Sequence, residues 1–304
     1  MQGRLLIVED NPDFLEELLA IIKSIDLGAL VDTVPDRDSA ITKIEDNFYD
    51  YIILDLSIPT QINALDSHPL FGYEVFRKAR SKTPGTPLLI LTGSSAQDFI
   101  KDLLREQHQI DIWWTGKTIG NVDFLAKHEF DNCPEIVGSA LSSINGLTEV
   151  ELEQTGVRLC EKEERLVRIF SRKFDGVRCA CSPLGGGLSG VKVVRLLVTD
   201  SNGVVLHNAV AKLGSIPEIK DVARRYDRFV LRLHPGSTPR NLGIHEFGAG
   251  DYAGIFYGLA DGYDASAIDW IQKHPTEGKT LVQSISSALV RWSEAVPQTR
   301  LSIK

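Results

Sequence analysis

No run of this chain is apolar for long enough to cross a bilayer, and its N-terminus lacks the charged-then-apolar order of an export signal. The expected setting is the cytoplasm, with no membrane partner. Cysteine is scarce as well: Cys133, Cys160, Cys179 and Cys181 form no C-x-x-C pair, and Cys179 and Cys181 are expected on opposite faces of a strand. Neither a disulfide framework nor a thiolate metal site is expected. A surplus of basic residues is also missing, with Lys+Arg at 33 against Asp+Glu at 41 and a formal net charge of −8. A nucleic-acid partner is therefore not expected.

A chain of 304 residues exceeds one ordinary domain, so two are expected. In the first half a short apolar run repeatedly precedes a segment with apolar residues at three-and-four spacing. Arg4 to Val8 leads to Phe14–Ile25, Leu30 to Val34 to Ser39–Asp46, and Tyr51 to Leu56 to Tyr73–Ala79. Leu88 to Thr92 leads to Ala96–Glu106, and Ile110 to Trp114 to Val122–Phe130. Five such pairs predict an α/β fold with a doubly wound parallel sheet. Leu5-Leu6-Ile7-Val8 and Leu88-Leu89-Ile90-Leu91 are continuous apolar runs because such strands are covered on both faces.

In sheets of this kind a site lies beyond the C-terminal strand ends. Glu9 and Asp10 follow the first strand, Asp55 closes the third, Thr92 closes the fourth, and Lys117 follows the expected fifth. Three carboxylates at one sheet edge repel one another unless a cation lies between them, and Mg²⁺ suits oxygen ligands. A lysine can neutralise a phosphoryl oxygen, and a hydroxyl can donate to another.

This constellation resembles the receiver family of two-component response regulators. The resemblance spans roughly residues 1 to 130, with Pro59 four residues after Asp55 as a further match. It implies a strand order of 2-1-3-4-5, with Asp55 taking a phosphoryl group from a sensor histidine kinase or phosphotransfer protein. It further implies Mg²⁺ on Asp10, Asp55, the Ser57 carbonyl and, through water, Glu9. It implies as well that Thr92 and Lys117 assist catalysis, and Thr92 with Trp114, three residues before Lys117, matches the family's switch pair. Pairing of two copies through the receiver stays open. Two departures stand out: Thr118 follows Lys117 where the family has proline, and the glycine that closes the phosphoacceptor loop falls at Gly72, leaving a long segment from Ser57 to Phe71.

The expected boundaries are a receiver over 1–132, a helical linker over 133–160 and an α+β domain over 161–304. Glu161 to Phe174 reads as a charged amphipathic helix. Val177–Pro183, Val191–Asp200 and Val204–Leu213 are β-branched runs, with Ser201-Asn202-Gly203 as a hairpin turn, so this sheet is antiparallel. Gly185 to Gly190 satisfies G-x-G-x-x-G, but a strand follows it, which excludes a dinucleotide-binding turn. A glycine-rich hairpin followed by Ala209-Val210-Ala211-Lys212 resembles the N-terminal lobe of protein kinases and of aminoglycoside phosphotransferase-like kinases. That resemblance would set Gly185, Gly187, Gly190 and Lys212 against nucleotide phosphates, with Ile216–Leu233 as the lobe's helix. It extends to bacterial regulators whose receiver is joined to a ternary-complex-associated, kinase-like effector that signals to a third protein. An unrelated α+β effector stays open. No H-R-D or H-G-D catalytic loop and no D-F-G occurs, so a non-enzymatic signalling switch is expected, with a receiver-regulated phosphotransferase as the alternative.

Overall fold

The computed structural model describes residues 2–93, 107–184, 191–233, 238–259 and 267–295. The first unit is built from β1 (Arg4–Val8), α1 (Pro12–Ile25), β2 (Leu30–Val34), α2 (Arg37–Asp46), β3 (Tyr51–Asp55), α3 (Pro69–Lys82) and β4 (Leu88–Thr92). The expected helix Ala96–Glu106 lies outside the described residues. A two-strand hairpin, β5 (Gln109–Ile110) with β6 (Ile119–Gly120), then leads into β7 (Val122–Ala126). The parallel sheet runs β2-β1-β3-β4-β7.

The fifth parallel strand is thus Val122–Ala126, paired with β4 from Leu88↔Val122 to Thr92↔Ala126. The sequence places that strand at Ile110–Trp114 and a helix at Val122–Phe130, and both placements are corrected here. Ile112 and Trp113 are buried, but in a turn that closes with Trp114 at φ 49°, a left-handed conformation no strand contains.

Both faces of the sheet are covered, as its continuous apolar strands require. Leu5, Ile7, Ile53, Leu89 and Leu91 pack with Leu18 and Ile22 of α1 and with Val137, Leu141 and Ile144 of α4 (Cys133–Thr148). Leu6, Val8, Ile52, Leu54 and Ile90 pack with Ala40 and Ile44 of α2 and Val75 and Phe76 of α3. The segment expected as a helical linker therefore divides: α4 covers one face of the parallel sheet, because its apolar stripe has the same 3.6-residue period as α1.

The second sheet runs β12-β13-β11-β10-β9-β8. Its members are β8 (Glu151–Gln154), β9 (Arg178–Pro183), β10 (Lys192–Thr199), β11 (Val205–Ser215), β12 (Asn241–His245) and β13 (Tyr252–Gly258). Neighbours are antiparallel except β8 with β9. The β10–β11 turn forms as expected: the Asp200 carboxylate accepts from the Asn202 and Val204 amides, each at 2.8 Å, and Gly203 takes φ 79°. Cys179 and Cys181 are both buried on one face of β9, which corrects the opposite-face expectation, because side chains two apart on a strand share a side.

Helix α5 (Glu161–Lys173) joins the two units. Its Leu166, Val167 and Phe170 enter the core of the second sheet, while Ile169 enters that of the parallel sheet. Arg165, fully buried, places Nη2 2.6 Å from Asp50 Oδ2 and 3.0 Å from the Gln2 carbonyl. The Gly85 amide donates to Gly250 O at 2.7 Å, and the Gly248 amide returns a bond to Gly85 O at 2.8 Å. Gln2, Asp50 and Gly85 precede β1, β3 and β4, so the second unit docks at the N-terminal edge of the parallel sheet. The phosphoacceptor candidate lies at the other edge, about 15 Å away for strands of this length.

Candidate functional site

Each acidic residue at the C-terminal edge is held by the turn that follows its strand. After β1, Asn11 caps α1, accepting from the Asp13 amide at 3.0 Å and the Phe14 amide at 3.2 Å, with Pro12 at the first helical position. That tight turn draws the Asn11 amide to Glu9 Oε1 at 3.1 Å. At the end of β3 the Ser57 amide donates to Asp55 Oδ1 at 3.2 Å. Gly72 then donates its amide to Leu56 O at 3.1 Å, and a Cβ there would lie 2.3 Å from Leu56 Cα. Only glycine lets α3 approach β3 this closely, as the loop-closing role expected for Gly72 requires.

Glu9, Asp10 and Asp55 present carboxylate oxygens within 4.8 Å of one another. Glu9 and Asp55 are 1% and 2% exposed, and Asp10 is half-buried. The cation among them is Lys127, whose Nζ stands 2.8 Å from Asp55 Oδ2 and 3.1 and 3.0 Å from the two Glu9 oxygens. Its ammonium also lies 4.5 Å from the Phe14 ring centroid.

Lys127 was missed in the sequence, which points to Lys117. Lys117 is exposed on the turn after Trp114, where its amide donates to Thr115 Oγ1. A signal for the correct residue was present: Phe124 precedes Lys127 by three residues, the same spacing as Trp114 and Lys117. Trp114 itself lies away from the acidic cluster, with its ring 4.5 Å from His245 and 5.9 Å from Phe256 of the second unit and under the Lys173 ammonium at 3.8 Å. Thr92 ends β4 across from Ala126, on the edge that carries Asp55, and only its backbone is described.

Burial first, and then the Asp55 charge, pushes Glu9 up to about 7 against the pull of Lys127. Burial also raises Asp55, again opposed by Lys127. For Lys127, burial pulls downward, but Asp55 and Glu9 outweigh it and the group is raised. Three crowded carboxylates with one amine carry excess negative charge in a low-dielectric site. That donor set, all oxygen and under-neutralised, fits a hard divalent cation.

A family model for the response regulator receiver domain matches residues 5–111. Those residues are a response regulator receiver domain. The structure extends this unit beyond the matched span to include β7, Lys127 and α4. The transcriptional regulatory protein TcrA of Mycobacterium tuberculosis is 32% identical over 93 residues, 31% of this chain and 32% of that protein. The chain thus spans about a third of the length of that curated relative. Among solved structures, the receiver domain of a sensor histidine kinase from Pseudomonas aeruginosa, with a magnesium ion coordinated in its active-site cleft, is 24% identical. The match covers 46% of this chain and 99% of that one, with a TM-score of 0.31. A CheY-like receiver from Methanospirillum hungatei is 20% identical, over 48% and 98% of the two chains, with a TM-score of 0.34.

In the second unit Lys212 lies on β11 opposite Val193 and Ile255, with its ammonium 5.9 Å from the Tyr257 ring centroid. Glu218 is occupied in capping α6 (Ile216–Phe229), accepting from the Ser215 amide at 3.1 Å and hydroxyl at 2.6 Å. Asp221 pairs with Arg225 at 2.5 Å, and the Tyr226 hydroxyl donates to the Pro239 carbonyl. Among the described residues no carboxylate reaches Lys212. Gly185, Gly187 and Gly190 lie outside the described residues.

Proposed function

We propose that this chain is a response regulator in which the Asp55 carboxylate accepts a phosphoryl group from a histidine kinase or phosphotransfer protein and the change is passed to the C-terminal unit or to a third protein. The observation that carries this reading is the Lys127 ammonium set between Asp55 and Glu9 at the sheet edge. An Asp55 oxygen attacks phosphorus as the bond to the donor imidazole nitrogen breaks, and the imidazole leaves with the bonding pair. Lys127 neutralises a phosphoryl oxygen and the Ser57 amide holds the other Asp55 oxygen, so catalysis consists of positioning and charge neutralisation. Glu9, Asp10, Asp55 and the Ser57 carbonyl would hold Mg²⁺, which would supply further neutralisation of phosphoryl charge. Thr92 and Phe124, the aromatic residue three before Lys127, take the switch roles.

For the C-terminal unit we favour a kinase-like effector without phosphotransfer chemistry of its own. After β8, which pairs parallel with β9, the sheet continues with three antiparallel strands, a helix and two more antiparallel strands, and Lys212 on β11, the third of these five, supports the kinase-like part of this reading. The missing catalytic-loop motifs and the lack of a described acidic partner for Lys212 support the non-catalytic part.

Incubation of the full chain with acetyl phosphate and Mg²⁺ tests the central claim by intact mass. One added phosphoryl group on the wild type and none on Asp55→Asn is expected. Stoichiometric labelling of the Asn variant would overturn the assignment.

A further inference from the structure

The segment between Asp55 and α3 is long, and it folds back over the acidic cluster. Its base is closed by a bridge between Ile58 and His68, with the His68 amide donating to Ile58 O at 3.1 Å. Asp66 accepts from the Thr60 amide at 3.1 Å and from the Thr60 hydroxyl at 2.8 Å. The outer strand of the loop is tied to α2, where the Arg37 amide donates to Pro59 O and the Asp38 amide to Thr60 O. His68 Nδ1 then accepts from the Leu70 amide and caps α3.

Ser67 lies between these two fixed neighbours, Asp66 and His68, so its backbone has little freedom. Its hydroxyl donates to Asp10 Oδ2 at 3.0 Å, across 57 residues of sequence. Lys127 serves Glu9 and Asp55, and among the described residues no ion pair reaches Asp10. Asp10 is also the most exposed of the three carboxylates. Its orientation is therefore left to Ser67, which holds one oxygen and leaves the other to a cation.

We propose that Ser67 is a positioning residue for divalent-cation binding, acting from the extended loop through Asp10. The inference rests on the metal reading of the Glu9–Asp10–Asp55 cluster. A carboxylate ligand already held by a hydroxyl loses less freedom when it binds metal, and outer-shell partners of this kind change metal affinity by about 10- to 100-fold. Because Ser67 is exposed, water partly replaces its hydroxyl, and the lower end of that range applies.

The test is calorimetric titration of Mg²⁺ into the full chain, comparing wild type, Ser67→Ala, Ser67→Thr and Asp10→Ala, with urea midpoints measured without metal. Ser67→Ala is expected to raise Kd about tenfold. Ser67→Thr, which keeps the hydroxyl, is expected to stay near wild type, and the metal-free urea midpoint is expected not to move. A Ser67→Ala affinity within twofold of wild type, while Asp10→Ala loses binding, would overturn this inference and leave the metal site standing. An Asp10→Ala variant that binds like wild type, or a wild type that does not bind at all, would overturn both. A fall in the urea midpoint matching the loss of affinity, with no rescue by threonine, would reduce Ser67 to a structural role and also overturn the proposal.

Discussion

Lys127 Nζ stands 2.8 Å from Asp55 Oδ2, although 72 residues separate them in sequence. The contact exists because β7 joins the sheet beside β4 and ends at Ala126, which delivers the next side chain to the edge where β3 ends. Replacing Lys127 with alanine is expected to slow phosphorylation of Asp55 by acetyl phosphate on the order of a hundredfold, the scale seen when a positioned charge-stabilising donor is removed. Lys117→Ala is expected to label at the wild-type rate. The initial rate of phosphoryl incorporation for the two variants decides between the lysines, and a slow Lys117 variant beside a normal Lys127 variant would reverse the assignment.

The Arg165–Asp50 pair is buried on both sides, at 0% and 2% exposure. Removing one partner strands the other charge, so Arg165→Met or Asp50→Leu alone is expected to cost about 3 to 5 kcal/mol. The double replacement is expected to recover most of that loss, because an apolar pair leaves no charge unpaired. Urea unfolding of the four proteins forms a double-mutant cycle, and additive losses would show that the two side chains are not coupled.

His245 accounts for a separate sensitivity to acid. Its Nε2 lies 2.8 Å from the Ile112 carbonyl, its ring contacts Trp114, and burial lowers it to about 4. The folded value lies below the unfolded 6.5, so the unfolded chain binds the proton first. The contribution is complete above pH 6.5 and is lost as pH falls toward 4, reaching at most about 3 kcal/mol. Chemical denaturation of His245→Gln across this window is expected to show a shallower acid loss than wild type. Parallel curves would remove His245 as the cause.

For the C-terminal unit, ATP turnover is expected to stay at background in both the wild type and Lys212→Ala, measured in an Asp55→Asn background to silence the receiver. Phosphoryl transfer needs a metal-holding Asp and Asn and an oriented acceptor, tasks that a glycine-rich stretch of sequence and one lysine do not perform. Turnover that depends on Lys212 would promote the phosphotransferase reading.

Much of the receiver is local and so could be read from the chain. The strands Arg4–Val8 and Leu88–Thr92 hold the apolar runs Leu5–Val8 and Leu88–Leu91, and Glu9, Asp10 and Asp55 stand at strand ends, where a buried sheet does not otherwise tolerate carboxylates. The hairpin at Ser201–Gly203 and helix α5 likewise follow from turn residues and helical period alone. What the chain could not decide was which of two equivalent signals the sheet would use. Ile110–Trp114 with Lys117 and Val122–Ala126 with Lys127 carry the same aromatic-to-lysine spacing, and the first has the stronger β-forming run. The choice came from packing: Trp113 enters the receiver core, and Trp114 takes a left-handed turn to meet His245 and Phe256 of the second unit. With those residues committed elsewhere, the edge of β4 is left to Val122–Ala126. The same is true of Arg165 and Asp50, which read as ordinary surface charges until the two units meet. A local pattern fixes period and turn, whereas the partner of an edge strand or a buried charge is set by contacts between residues far apart in the chain.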